Sequence, residues 1–142
     1  MAIRFFEEEV KFNLQNKNTY KRWIREIAVG EGFKIGDLNY IFCSDEYLYE
    51  INLRYLNHAT FTDIITFDQR EDPKVICGEI YLSLDRVREN AKSLHETFEN
   101  ELNRVISHGL LHLCGHTDKS KHERMNMRLK EEEALGVLEK LM

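Results

Sequence analysis

Three histidines fall within nine residues of the segment 107-SHGLLHLCGHTDKS-120, at positions 108, 112 and 116, with Gly115 and Asp118 among them. His108 and His112 are four residues apart, so on a helix both imidazoles share one face, with Cβ atoms roughly 5–6 Å apart. Two ring nitrogens so placed can grip one divalent ion at about 2.0–2.1 Å each. Gly115 suits a left-handed turn that ends the helix and reverses the chain. A residue two or three positions further on can then swing back as a third ligand. Asp118 fits that role, and His116, directly after the turn residue, is the alternative. Cys114 projects about 200° from His112 around the helix and is set aside as a ligand. Three protein ligands leave a fourth position open, the catalytic rather than the closed structural form of a zinc site.

Written out from His108 to Asp118, the spacing H-x-x-x-H-x-x-G-x-x-D runs close to the zinc-peptidase pattern H-E-x-x-H-x-x-G-x-x-H. Gly109, however, stands where such a peptidase carries its general-base glutamate, which disfavours peptide hydrolysis. Arg104 lies one helical turn before His108, so Arg104, His108 and His112 form an i, i+4, i+8 stripe. A guanidinium beside a metal suits a phosphodiester, because its planar fork can hold phosphate oxygens bidentately. Pairing of Arg104 with Glu101 on the same helix is the competing use. The ion would polarise a phosphoryl oxygen or bring the pKa of a bound water toward ~7. Arg104, His108 and His112 are therefore the candidate catalytic residues.

The elements that must position this group are legible as periodicities. The segment 3–12 reads as a strand. Residues 17–32 read as a helix with Tyr20, Trp23, Ile24 and Ile27 at helical intervals, stopping at Gly30 and Gly32. A strand over 37–43 follows, bounded by Gly36 and Ser44. A helix capped by Ser44 or Asp45 carries Tyr47, Leu48, Ile51 and Tyr55 on its apolar face. Two strands, 62–68 and 75–85, flank a loop holding Pro73. The remainder is helical: 86–97, then 98–115 ending at Gly115, then about 121–141 with Met125, Leu129 and Leu135. Strands early and helices late predict an α+β (mixed α/β) fold, a single domain over 1–142 with about four strands in a mixed sheet and about five helices.

Composition narrows the classes. The chain has 142 residues, 42% hydrophobic and 32% charged, with a net charge of −5 that argues against a global basic field for nucleic acid. A local basic surface is still compatible. Arg86, Arg88 and Lys92 make a modest basic cluster, and Arg54 and His58 precede the strand at 62–68. No apolar run approaches the ~18 residues of a membrane span, the N-terminus turns acidic where a secretory signal would be apolar, and three widely spaced cysteines fit reduced thiols. A cytoplasmic protein with no membrane partner is expected. Asp63 and Glu79 are candidates for orienting a ligand histidine, although a strand-end cap and a solvent-facing position are the simpler readings. Phe61 and Phe67 flank the Thr62-Asp63 segment, where base stacking competes with core packing.

The segment ELNRVISHGLLHLCG resembles the motif helix of the YbeY family, E-x-x-R-L-x-V-H-G-x-L-H-L-x-G-Y-D-H, in Glu101, Arg104, His108, Gly109, Leu111, His112, Leu113 and Gly115. The likeness extends to 51-INLRYLNHATFTDIITFD-68, through Asn52, Tyr55, Thr62, Asp63 and Phe67, and to 78-GEIYLSLD-85. It covers about residues 45–135. It implies a metal-dependent, single-strand-specific endoribonuclease acting in 3′-end maturation of small-subunit (16S) ribosomal RNA and in ribosome quality control. The implied cofactor is one zinc ion on His108, His112 and Asp118, with His116 as the alternative third ligand. The implied partners are ribosomal RNA, the small subunit or its proteins, and a ribosome-associated GTPase. Two departures stand out: the family's third histidine is Asp118 here, and the arginine after its tyrosine is Leu56. If that arginine meets RNA phosphate, Arg54 or His58 would have to cover for it, while Arg86 and Arg88 are separate candidates for tracking a backbone phosphate. The rival readings are a non-catalytic ribosome-assembly factor with a structural metal and, third, a zinc peptidase.

Overall fold

In a computed structural model, which describes residues 2–142, nine elements follow in the order β1 (Ile3–Glu8), α1 (Lys17–Gly30), β2 (Lys34–Cys43), α2 (Asp45–Leu56), β3 (Ile64–Asp68), β4 (Val75–Ser83), α3 (Leu84–Ser93), α4 (Phe98–Leu113) and α5 (Lys121–Leu141). The four strands form one mixed sheet in the order β1-β2-β4-β3. β1, β2 and β4 run parallel, and β3 closes one edge antiparallel to β4, with Ile65 opposite Tyr81. This is the expected α+β architecture of four strands and five helices.

Period-two alternation gives the sheet two apolar faces. One presents Ile3, Leu38, Tyr40, Phe42, Ile76, Ile80 and Leu82 to α1, α3, α4 and α5, forming the main core. The other presents Cys43 and Ile65 to Leu48 and Ile51 of α2, a smaller cluster joined by Tyr47, Phe67 and Tyr81. Phe67, partly buried, thus packs against this cluster, edge-on to Tyr55 and Tyr81. Helix α4 is central, touching α1, α3, α5, β3 and β4.

Several boundaries depart from the periodicity. β1 stops at Glu8 rather than 12, because Glu9 turns to φ 60°, a left-handed conformation that a strand cannot carry. β2 starts at Lys34 and runs through Gly36, with a register shift between Ile35 and Leu38, so the glycine is a bulge rather than a boundary. β4 ends at Ser83, whose hydroxyl accepts from the Arg86 amide and caps α3. On α2 the inward positions are Leu48, Ile51 and Asn52, while Tyr55 is exposed. Two of the three apolar residues that marked α5 lie off its inner face: Met125 is 60% and Leu129 64% exposed, while Leu135 is half-buried. The buried stripe is Met127, Glu131, Ala134 and Leu138, which includes a carboxylate.

Gly109 lets α4 lie close on the sheet. A Cβ there would come within 2.6 Å of Ile64 Cδ1 and 2.9 Å of Ile80 Cγ2. The residue that removes the peptidase base is therefore also a packing requirement. Gly109→Glu is expected to destabilise the fold by at least about 3 kcal/mol, from overpacking and from burial of an unpaired charge. Denaturant midpoints of the two proteins would show it.

Candidate metal centre

Helix α4 is capped by Thr97, whose hydroxyl accepts from the Asn100 amide at 3.0 Å. It ends in a Schellman turn, in which the His116 amide donates to Leu111 O and the Gly115 amide to His112 O, both at 3.0 Å. Gly115 sits at φ 101°, which an L side chain rarely adopts. Arg70, paired with Asp68 at 2.7 Å, also donates to the Leu113 carbonyl at this negative helix end. The chain then reverses and re-enters α5 through a capping box: Glu123 Nα donates to Ser120 Oγ at 3.0 Å, and Glu123 Oε1 accepts from the Ser120 amide at 2.9 Å. Glu123 further accepts from Lys119 N at 3.1 Å and from the Thr117 hydroxyl. The short segment carrying Asp118 is thereby held at both ends.

The consequence is a converging triad. His108 Nε2 and His112 Nε2 lie 2.9 Å apart, and Asp118 Oδ2 is 3.3 Å from the first and 3.5 Å from the second. Among the described residues, His108, His112 and Asp118 form the group whose ligand atoms all fall within 4.8 Å of one another and could hold a metal ion. Two imidazole nitrogens and one carboxylate oxygen are a donor set suited to a divalent transition ion. All three side chains are partly exposed, so the group opens to solvent.

His116 is placed elsewhere. Its Nε2 meets Glu31 Oε1, and Lys130 Nζ donates to Glu31 Oε2 at 3.2 Å, so the imidazole latches the turn to the end of α1. As third ligand it would have to leave this partner, and it is Asp118 that closes on the histidines. Cys114 lies at the helix end, partly buried against the core, with burial pushing its thiol up to about 12. All three cysteines are free.

Arg104 also differs from expectation. It is only 7% exposed and faces carboxylates rather than solvent: Glu132 at 2.8 Å, Glu131 at 3.3 Å and Glu101 at 3.8 Å. A guanidinium so enclosed cannot fork a substrate phosphate. The residue that sequence reasoning missed is Glu131, whose Oε2 lies 2.6 Å from His108 Nδ1 while Oε1 accepts from Arg104. The only signal for it was a helical offset of four from Met127 toward Ala134 and Leu138, on a face whose polarity hid it. Asp63 stands near without bonding to a histidine; burial raises its pKa, and the charge of His108 opposes that rise. Glu79 lies away from the group, beside Tyr81, Phe6 and Ile41 on the second face of the sheet.

The candidate RNA contacts divide. His58 lines a groove of about 330 Å³ that runs beside His112, together with Asn52, Leu56, Thr60, Thr62 and Thr66. Arg54 is exposed on the last turn of α2. Arg86 instead pairs with Asp45 at 2.7 Å and stacks over Phe61, and Arg88 pairs with Asp85 at 3.7 Å and covers Phe98. Around Arg88 and Lys92 stand Glu9, Asp45, Glu46, Asp85 and Glu89, which make this surface acidic on balance. The basic cluster on α3 is therefore paired with, and surrounded by, carboxylates.

Electrostatics set the two histidines apart. Burial lowers the pKa of His108, but the Glu131 hydrogen bond and charge, with Asp118 and Asp63, outweigh it and the net shift is upward. Burial and the neighbouring charge of His108 push His112 downward.

Residues 2–139 match the family model described as Endoribonuclease YbeY. The chain is 46% identical over 136 residues to the Endoribonuclease YbeY of Cytophaga hutchinsonii, covering 96% of this chain and 95% of that protein. It is 47% identical over 135 residues to that of Christiangramia forsetii, covering 95% and 93%. Among solved structures, the solution structure of TM1509 from Thermotoga maritima is similar, with a TM-score of 0.65, 29% identity and coverage of 98% and 93%.

A divalent ion can take His108 only as the neutral imidazole, so a raised pKa means that binding expels a proton above the ordinary value of about 6.5. Proton release on metal uptake is expected to persist above that pH and to fade once pH passes the raised value, with apparent affinity rising across the same window. Calorimetry in two buffers of different ionisation enthalpy measures the protons released.

Proposed function

Because this chain belongs to the YbeY endoribonuclease family, we propose that it cleaves single-stranded ribosomal RNA precursors, with zinc held by His108, His112 and Asp118. It is a hydrolase of RNA phosphodiester bonds with a role in ribosomal RNA processing. The finer assignment is 3′-end maturation of small-subunit (16S) RNA and ribosome quality control in the cytoplasm. The small subunit or its proteins, and a ribosome-associated GTPase, would present the substrate to an acidic chain. No helix among the described residues is long and apolar enough to cross a membrane.

The observation that carries this reading is the convergence of the two Nε2 atoms and the Asp118 carboxylate, beside a groove that His112 helps to line. Bound there, zinc would supply Lewis acidity toward a phosphoryl oxygen. The chain's own residues supply placement. The Schellman turn and capping box hold Asp118 against the histidines. His58 and the hydroxyls of Thr60, Thr62 and Thr66 offer hydrogen bonds along the groove, and Leu56 with Ile64 gives it an apolar side. Leu56 in place of a cation leaves phosphate contacts on this side to Arg54 and His58. Gly109 leaves no base for peptide hydrolysis.

The test is cleavage of end-labelled single-stranded RNA by the purified protein, beside His112→Ala and Asp118→Ala, with zinc restored after chelation. Zinc-dependent cleavage by the wild type is expected, with loss of at least about 100-fold in each variant while circular dichroism stays unchanged. Equal cleavage by wild type and variants would reject the site. Loss of fold on chelation, with no cleavage by the zinc-loaded protein on RNA or on small subunits, would favour a ribosome-assembly factor with a structural metal.

A further inference from the structure

We propose that Glu131 is a positioning residue of the metal centre: it accepts the hydrogen bond from His108 Nδ1–H and so keeps the lone pair on Nε2, the atom that faces His112 and Asp118. The inference rests on the preceding reading that His108 is a metal ligand, and it adds a residue from a different helix. A neutral imidazole has one N–H and one lone pair, and only the lone pair can bind a metal. The hydrogen bond made by the other nitrogen therefore selects the useful form. Glu131 Oε2 is 2.6 Å from His108 Nδ1, while His108 Nε2 is 3.3 Å from Asp118 and 2.9 Å from His112 Nε2. The ring is thus spanned by an acceptor on one side and the ligand group on the other.

Glu131 is only 5% exposed, and its two oxygens serve two partners, since Oε1 accepts from Arg104 Nη1 at 3.3 Å. Arg104 is in turn held by Glu132 at 2.8 Å. Glu132→Arg104→Glu131→His108 is therefore a chain of charged contacts from the outer surface of α5 to the imidazole. An ion pair buried only for stability can often be replaced by apolar residues of like volume without loss. Its value here lies in what the second oxygen does. A carboxylate accepting from Nδ1–H also makes the ring a stronger donor through Nε2, and carboxylates behind ligating histidines affect metal affinity about 10- to 100-fold. Arg104, enclosed by carboxylates, acquires a role in this chain: it holds Glu131 in place.

The test compares Glu131→Gln and the paired variant Arg104→Met/Glu131→Met with the full-length wild type. Two readouts are needed: the zinc dissociation constant by competition with a chromophoric chelator, and the His108 tautomer in the metal-free protein from long-range ¹⁵N–¹H correlations. In Glu131→Gln the side-chain carbonyl still accepts from Nδ1–H. The tautomer should stay, and the zinc dissociation constant should rise about 10-fold. The paired variant keeps the volume but removes the acceptor, so His108 should show a mixture of tautomers and a rise toward about 100-fold. An unchanged zinc dissociation constant in Glu131→Gln, or in the folded paired variant, overturns the proposal and leaves Glu131 as a counter-charge for Arg104. Should the paired variant fail to fold, Glu131→Gln alone decides. Neither readout involves RNA: a wild type that binds zinc but cleaves nothing rejects the ribonuclease reading and leaves this inference to its own result. A wild type that binds no zinc rejects both.

Discussion

Burying the Glu131 carboxylate between Arg104 and His108 places an ion where water is scarce, and such a group is tolerated only when its partners sit within hydrogen-bonding reach. That requirement fixes how α5 lies on α4. The rest of the inner stripe of α5, Met127, Ala134 and Leu138, is apolar, and apolar contacts alone are non-directional. The two oxygens of Glu131, one to a guanidinium and one to an imidazole, supply the missing direction. Trp23, fully buried on α1, donates from Nε1 to the Ala134 carbonyl at 2.7 Å and pins the next turn. Together they set rotation and register of the last helix, and hence where its first turn starts.

That first turn matters because Asp118 lies just before it. The reversal between α4 and α5 is short, and each end has its own fastening. Gly115 and the Schellman bonds close one side, and the Ser120–Glu123 box closes the other. The His116–Glu31–Lys130 cluster ties the middle to α1, with burial opposing but His116 and Lys130 holding Glu31 below the usual carboxylate range. Local backbone chemistry and long-range charge thus agree on one position for Asp118. The histidines need less help, since they ride on a helix packed on several sides.

How much of this could be read beforehand follows the range of the interactions. His108, His112, Gly115 and Asp118 lie within one helical run and its turn, so their geometry follows from spacing. The strands were likewise legible as short runs bounded by Ser44 and the Pro73 loop. Glu131 was not legible, because it joins residues 23 and 27 positions away and occupies a stripe interrupted by its own charge. Met125 and Leu129 drew the apolar face of α5 to the wrong side for the same reason. Arg104 shows the reverse error: the i, i+4, i+8 stripe was sound, but the stripe said nothing of the carboxylates arriving from α5. Arg86 and Arg88 looked like a basic patch only while the strand-end acids around them were unplaced.

Trp23 is the single tryptophan of the chain. Its indole is sealed from water, edge-on to Tyr20 at 5.9 Å, and bonded to the main chain of the helix that carries Glu131. The molecule therefore contains an intrinsic optical gauge at the seam between α1 and α5. Emission from a dry indole lies to the blue of one in water, and any lifting of the last helix would admit solvent and shift it red. Fluorescence of the untouched protein thus reports on the scaffold behind the metal centre, with no label and no change to any residue at the centre itself.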